Sequence, residues 1–265
     1  MARIRVPFRH LVALTAGLLL LTGCGSSGGA KTTGSDKASG PAVVATSTWE
    51  AALAKAAGAT DVTYIVPASI RHAPDYDLKP TDLTKVTGAD YVLYTSFEPF
   101  AGRVKDAAGS KAKMIELNLD NSPSVTTADV TQLGRAFGTE RQAAAWNASF
   151  AQEWNTLTRQ VKAAWPHGGQ PAVVSEEFST WAAKLAGARQ VGTYGPDAVT
   201  PQQLRTLSAK KPQFVLDNEN MSTGTVLPGS GAEQLEIVNY PGADLNLLGV
   251  YERAAEQMKK AFATS

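Results

Sequence analysis

Residues 140–165 read ERQAAAWNASFAQEWNTLTRQVKAAW. Apolar side chains recur there at Trp146, Phe150, Trp154, Leu157, Val161 and Trp165, at intervals of 4, 4, 3, 4 and 4 residues. That period lays one continuous stripe along a helix of about seven turns. Pro166, Gly168 and Gly169 follow directly and terminate it. The aromatic stripe reads as core-facing and is no evidence for a cofactor. Its length suits a helix that runs across two lobes and fixes their relation.

On both sides of this helix the pattern switches to short apolar runs separated by helical stretches. Upstream, AVVAT (42–46), VTYIV (62–66), YVLYT (91–95) and residues 113–117 read as strands. Helices fall at 49–57, from Thr81, and around 99–108. Downstream, AVVS (172–175), 190–193, 214–216 and 235–238 repeat the strand signal, with helices near 178–185, from Thr200-Pro201, and over 246–262. Strands of four to six residues alternating with helices indicate βαβ units and parallel sheets. The expected fold is α/β with two lobes, each a parallel-type sheet flanked by helices, joined by one long central helix. The expected boundaries are 41–138 for the N-terminal lobe, 139–166 for the connecting helix and 167–265 for the C-terminal lobe.

The first residues carry Arg3, Arg5 and Arg9 and no acid, then an apolar stretch from Leu11 to Leu21, then Leu21-Thr22-Gly23-Cys24. A basic start, a short apolar core and small residues read as a secretory signal over 1–23. The Leu-Thr-Gly-Cys run resembles a bacterial lipobox, which implies lipidation of Cys24 and anchoring to a membrane. Residues 24–40 carry almost no apolar side chains and read as a flexible tether. Cys24 is the one cysteine of the 265 residues, so no intramolecular disulfide forms and no thiolate is left for catalysis or a zinc–sulfur site. The whole chain carries 25 basic and 24 acidic side chains. Near-neutral charge provides no basic face for nucleic acid. A monomer is expected.

In open α/β sheets ligands sit outside the carboxyl ends of the strands. That rule selects His72 to Asp77 after the second strand, Glu98 after the third and Asp120 after the fourth. In the second half it selects Glu176 and Glu177, then Asp217 and Glu219, then Asn239. Hard oxygen ligands and one imidazole converging on an interlobe cleft make a divalent-metal site. The expected ligands are His72, Glu98, Glu176 and Asp217. Glu98 has the alternative role of capping the helix that Pro99 begins, and Glu176 and Glu177 also suit a helix N-terminus electrostatically. His167, between Pro166 and Gly168, reads as an exposed linker residue.

The stretches VVATSTWEAALAKAAG and VPASIRHAPDYDLKPTDLTKVTGADYVLY resemble the N-terminal lobe of the zinc- and manganese-type solute-binding lipoproteins of ABC importers. VVSEEFSTWAAKLAG, VGTYGPDAVTPQQLRTL, PQFVLDN and VNYPG resemble their second lobe. The likeness spans residues 42–263 and rests on the order of the motifs more than on any one. It implies a rigid two-lobed binder that holds a transported divalent metal (Zn, Mn or Fe) between its lobes and passes it to an ABC permease. The chain departs from the pattern where it matters most. The family's first histidine falls on Pro74, with His72 two residues earlier. No histidine stands near Asp120, Ser175 or Glu176 occupies another histidine position, and the last acid falls near Asn239. One imidazole with several carboxylates is a harder site than zinc prefers.

The alternative cargo is an organic or chelated-metal ligand, with Trp49, Tyr76, Phe97, Phe100 and Trp181 as possible lining. A surface adhesin or an extracytoplasmic enzyme is the reading from another class. The one Gly-x-Ser-x-Gly match, GSSGG at 25–29, falls in the tether and not at a strand-to-helix elbow, and the sequence lacks a phosphate-cradling glycine loop and a His-Glu-x-x-His pair, which argues against an enzyme.

Overall fold

The computed structural model of the chain describes residues 40–265. The signal segment, Cys24 and the tether as far as residue 39 lie outside the described residues. The described residues form one compact unit. It holds two four-stranded sheets in which every pairing is parallel.

The first sheet comprises β1 (Ala42–Ala45), β2 (Asp61–Tyr64), β3 (Tyr91–Tyr94) and β4 (Lys113–Glu116) in the order β2-β1-β3-β4. Its crossovers contain α1 (Thr48–Ala56), α2 (Pro80–Val86) and α3 (Ala101–Ala108). Ser47 starts α1 through a reciprocal capping box with Glu50, which satisfies backbone donors that the first helical turn leaves unpaired. Two helices then lead out of the first half, α4 (Pro123–Phe137) and α5 (Glu140–Ala163). The second sheet comprises β5 (Ala172–Glu176), β6 (Arg189–Tyr194), β7 (Phe214–Asn218) and β8 (Glu233–Ile237), ordered β6-β5-β7-β8. α6 (Thr180–Ala186), α7 (Pro201–Ser208) and α8 (Leu248–Ala263) complete it. The two halves thus share one strand order. Each reverses direction between its first and third strands, at a topological switch point.

α5 carries the predicted stripe. Ala143, Phe150, Leu157 and Val161 are buried along it, and each large apolar side chain so removed from water contributes about 1.5–3 kcal/mol. Phe150 stacks on Trp146 at 5.1 Å and meets Tyr251 of α8 at 4.9 Å, while Trp181 of α6 meets the same tyrosine at 5.1 Å. α5 packs on α4 and α1 of the first half and on α6 and α8 of the second. One continuous core therefore runs from Val43 and Leu93 through Phe150 and Leu157 to Trp181, Phe214 and Phe262. Strand alternation sends the intervening residues to the opposite faces. Val44 and Val92 enter a separate cluster with Phe100, and Val174 and Val215 enter another with Leu207 of α7.

The sequence reading passed over α4. Its segment PSVTTADVTQLGRAF contains Val125, Thr126, Thr127, Val130 and Thr131, whose branched side chains disfavour helix. Tertiary packing overrides that preference. Thr126, Val130 and Leu133 are buried at helical spacing, and Gly134 lets α5 approach so closely that an added Cβ would stand 2.5 Å from that of Ala143. Pro123 in the first turn and the left-handed Gly138 at the end were the boundary signals available.

Candidate functional site

A cavity of about 280 Å³ opens where the carboxyl ends of the two sheets face one another. Every strand contributes to its wall through the residues that follow it or end it. The first sheet supplies Trp49 after β1, His72 and Pro74 after β2, Phe97 after β3 and Leu119 after β4. The second supplies Phe178 after β5, Pro196 after β6, Asn218 and Met221 at the end of β7, and Asn239 and Tyr240 after β8. Parallel pairing produces this convergence, because all strands of each sheet end on the same side.

The wall is apolar and aromatic. No Asp, Glu, Lys or Arg lines it. Trp49 and Tyr240 meet edge to face at 5.1 Å across the two halves. Phe97 and Phe178, 55% and 46% exposed, are the exposed large hydrophobic side chains among the described residues. Polar character comes from His72, Asn218 and Asn239.

Asn239 is almost fully buried and ties the halves together. Its Oδ1 accepts from Trp181 Nε1 at 2.7 Å and from Asn121 Nδ2 at 3.2 Å. Its Nδ2 donates to Ser179 Oγ at 3.2 Å, and its backbone N–H donates to Asn220 Oδ1 at 2.9 Å. Asn121 follows β4 of the first half and also donates to the Asn239 carbonyl at 3.0 Å. The side chain therefore faces three protein partners, with little capacity left for a ligand.

Outside the inner cavity lies a wider, more polar compartment of about 630 Å³, which shares His72, Pro196 and Met221 with it. Two loops meet at its edge. The Arg71 guanidinium donates to the Glu219 carbonyl, and Asn220 Nδ2 donates to the Arg71 carbonyl at 2.7 Å.

Of the four residues expected to bind metal, His72 alone lines the cavity, and its Nδ1 lies 3.1 Å from Asp75 Oδ1. Glu98 is buried beside Glu50 and accepts from the Thr95 backbone N–H at 3.4 Å. Burial, reinforced by the charge of Glu50, pushes the Glu98 carboxyl up to about 8. Glu176 accepts from the Phe178 N–H at 2.8 Å. Burial raises it to about 7 against the opposing hydrogen bonds, with Asp217 adding to the rise. Asp217 accepts from the Tyr194 hydroxyl and from Gln234 Nε2, the latter at 3.1 Å.

The expected four-ligand set is therefore not assembled. Among the described residues no three His, Cys, Asp or Glu side chains come together to hold an ion. The reason is the period of the strands. Glu176 and Asp217 share the face of Val174 and Val215, toward Tyr194 and Leu207. Glu98 turns toward the start of α1, where Thr46 and Ser47 also hold Glu50. Of the aromatics named from the sequence, Trp49 and Phe97 line the cavity. Tyr76 and Phe100 pack in the core of the first half, and Trp181 packs in the shared core. Phe178, Met221, Pro196 and Tyr240 were missed. The strand-end rule selects the loops of Phe178, Met221 and Tyr240 but not that of Pro196, and none of the four is an acid or an imidazole.

No family model matches the chain and no curated protein matches it in sequence. Solved structures do share its fold. The laminin-binding protein Lmb of Streptococcus agalactiae, described as bifunctional with adhesin and metal transporting activity, gives a TM-score of 0.61 at 17% identity, over 83% of this chain and 100% of its own. The SBP FpvC of P. aeruginosa, in complex with Ni2+, gives 0.63 at 15% identity, over 84% and 97%. An Mn-bound periplasmic metal binding protein from Candidatus Liberibacter asiaticus gives 0.61 at 13% identity, over 84% and 99%. This chain has the two-lobed α/β fold of those proteins.

Proposed function

We propose that the chain is the extracytoplasmic solute-binding lipoprotein of an ABC importer. Cys24 carries the lipid anchor, and the cargo sits in the interlobe cleft until a membrane permease receives it. The fold supports the class, and the inner cavity, lined by no Asp, Glu, Lys or Arg, carries the reading of the cargo as an organic molecule or a metal already held by an organic chelator. A bare divalent ion needs several charged or imidazole ligands at once, whereas this wall offers one imidazole and amides. A chelator brings its own ligands and asks of the protein only shape and apolar contact.

The second reading is a bare transition metal held by His72 with Glu98, Glu176 and Asp217. It is favoured by the position of His72 at the wall and by the metals of the proteins that share the fold, and it requires the three carboxylates to turn inward.

Protein purified without chelator tests both. Mass spectrometry of the extracted small molecules, with elemental analysis of the same sample, is expected to find an organic compound at near-equal stoichiometry, with or without a metal. Mn, Fe or Zn bound without any organic partner moves the second reading ahead. Protein that carries neither, and does not co-purify with a permease, removes the importer reading. For the anchor, Cys24→Ala is expected to move the protein from membranes to the soluble extracytoplasmic fraction. Retention on membranes after a salt wash refutes lipidation at Cys24.

A further inference from the structure

A lone exposed apolar side chain is ordinary, but exposed apolar side chains gathered at one cavity mark a binding surface, because covering them is favourable by about 25 cal/mol per Å². Among the described residues Phe97 and Phe178 stand out in this way, and both line the same cavity. They come from opposite halves, Phe97 from the loop after β3 and Phe178 from the loop after β5. Each of those strands borders the switch point of its sheet. Trp49 and Tyr240, in edge-to-face contact with each other, line the same cavity. The carboxylates of Glu98, Glu176 and Asp217 do not line the wall. Asp217 accepts from Tyr194 and Gln234, Glu98 faces the Thr95 N–H, and Glu176 accepts from the Phe178 N–H through Oε2 while its Oε1 is buried without a partner. The volume approaches the range of small-molecule pockets, roughly 300–1,000 Å³, and far exceeds what one ion fills.

Taking the solute-binding reading as its premise, we infer that the cargo is an electrically neutral solute with an aromatic or otherwise flat apolar face, clamped between Phe97 and Phe178. An anionic solute would find no cation in the wall to offset its desolvation, and a small cation would find no carboxylate there. Apolar cargo entering an apolar cleft needs neither. Covering the two rings completes the burial that the free protein leaves undone. His72 and Asn218 then orient the polar edge of the solute.

The test uses residues 38–265, the compact unit with its own cores. The probe is N-phenyl-1-naphthylamine, which is neutral and aromatic. Its comparison is 8-anilino-1-naphthalenesulfonate, a similar ring system bearing a negative charge. The neutral probe is expected to bind saturably at one site. Phe97→Ala and Phe178→Ala are each expected to weaken it by about tenfold. Because both side chains are half exposed, the variants should melt within a few degrees of the parent, so that lost binding reports the site and not the fold. The sulfonate is expected to bind at least about tenfold more weakly. Neutral-probe binding that survives both alanine variants, or a sulfonate that binds as tightly, overturns the inference. Saturable binding of Mn2+ or Zn2+ with no binding of the neutral probe also overturns it, while leaving the solute-binding reading in place. If neither probe nor metal binds, the inference falls, and the importer reading is decided separately by the extracted small molecules and the co-purifying permease.

Discussion

Asn239→Leu is expected to lower the unfolding free energy by about 3 kcal/mol or more. The substitution leaves the buried Trp181 indole N–H without its acceptor, removes one acceptor from Asn121 and takes away the donor to Ser179. Each buried polar group left without a partner costs about 1–3 kcal/mol. Leucine roughly conserves volume, so the loss isolates hydrogen bonding from packing. Trp181→Phe supplies a comparison, since it deletes the indole donor but leaves the links from Asn121 and to Ser179. Urea unfolding of the three proteins decides the matter. An Asn239→Leu protein within about 1 kcal/mol of the parent would show that the network adds no net stability.

Stability should also fall as the pH rises from about 5 to about 8.5. Burial holds Glu98 up at about 8, Asp129 at about 7 and Glu176 at about 7. Glu50 adds its charge at Glu98, and Asp120 adds its charge at Asp129. In the unfolded chain such carboxyls titrate near 4. Between the two values the folded state binds protons that the unfolded state has released. Stability is thus greatest toward the unfolded values and is lost as the pH rises through the folded ones. A carboxyl moved from about 4.5 to about 7 loses about 2 kcal/mol across this interval. Asp129 offers the cleanest variant, because its Oδ2 is buried without a hydrogen-bond partner. Asp129→Asn should raise the melting temperature at about pH 8.5 and flatten the profile. A melting temperature that stays level or climbs from acid to alkaline pH contradicts the assignment of these carboxyls.

Much of the fold was legible because its determinants are local. The stripe from Trp146 to Trp165 and the β-branched runs at 62–66 and 172–175 carry their periods in the sequence itself. α4 was not legible, because its stability lies in contacts of Val130 and Leu133 with distant elements. The candidate site divides in the same way. Strand ends fixed which loops face the cleft, and His72 follows from that rule; Trp49 and Phe97 entered only as possible lining for an organic cargo. Whether a side chain beside a strand end points into the cleft or back into its own half depends on one residue of register. Glu176 and Asp217 fall on the parity that faces Tyr194 and Leu207, away from the cleft, and Asn218 on the other. The Asn239 amide fits a position that must both accept, from Trp181 and Asn121, and donate, to Ser179.

The core that passes under both sheets has a consequence for how the chain can be divided. Two lobes visible as separate sheets do not make two separable folding units here. A cut near residue 166 would leave Trp181, Tyr251 and Phe262 without the cover that Phe150, Leu157 and Val161 supply. Each fragment would present a wide apolar flank, the kind of surface that drives aggregation rather than folding. The halves share one strand order, yet neither can be shed, exchanged or inherited alone. Any divergence of the binding cleft therefore has to proceed loop by loop on a body that stays whole.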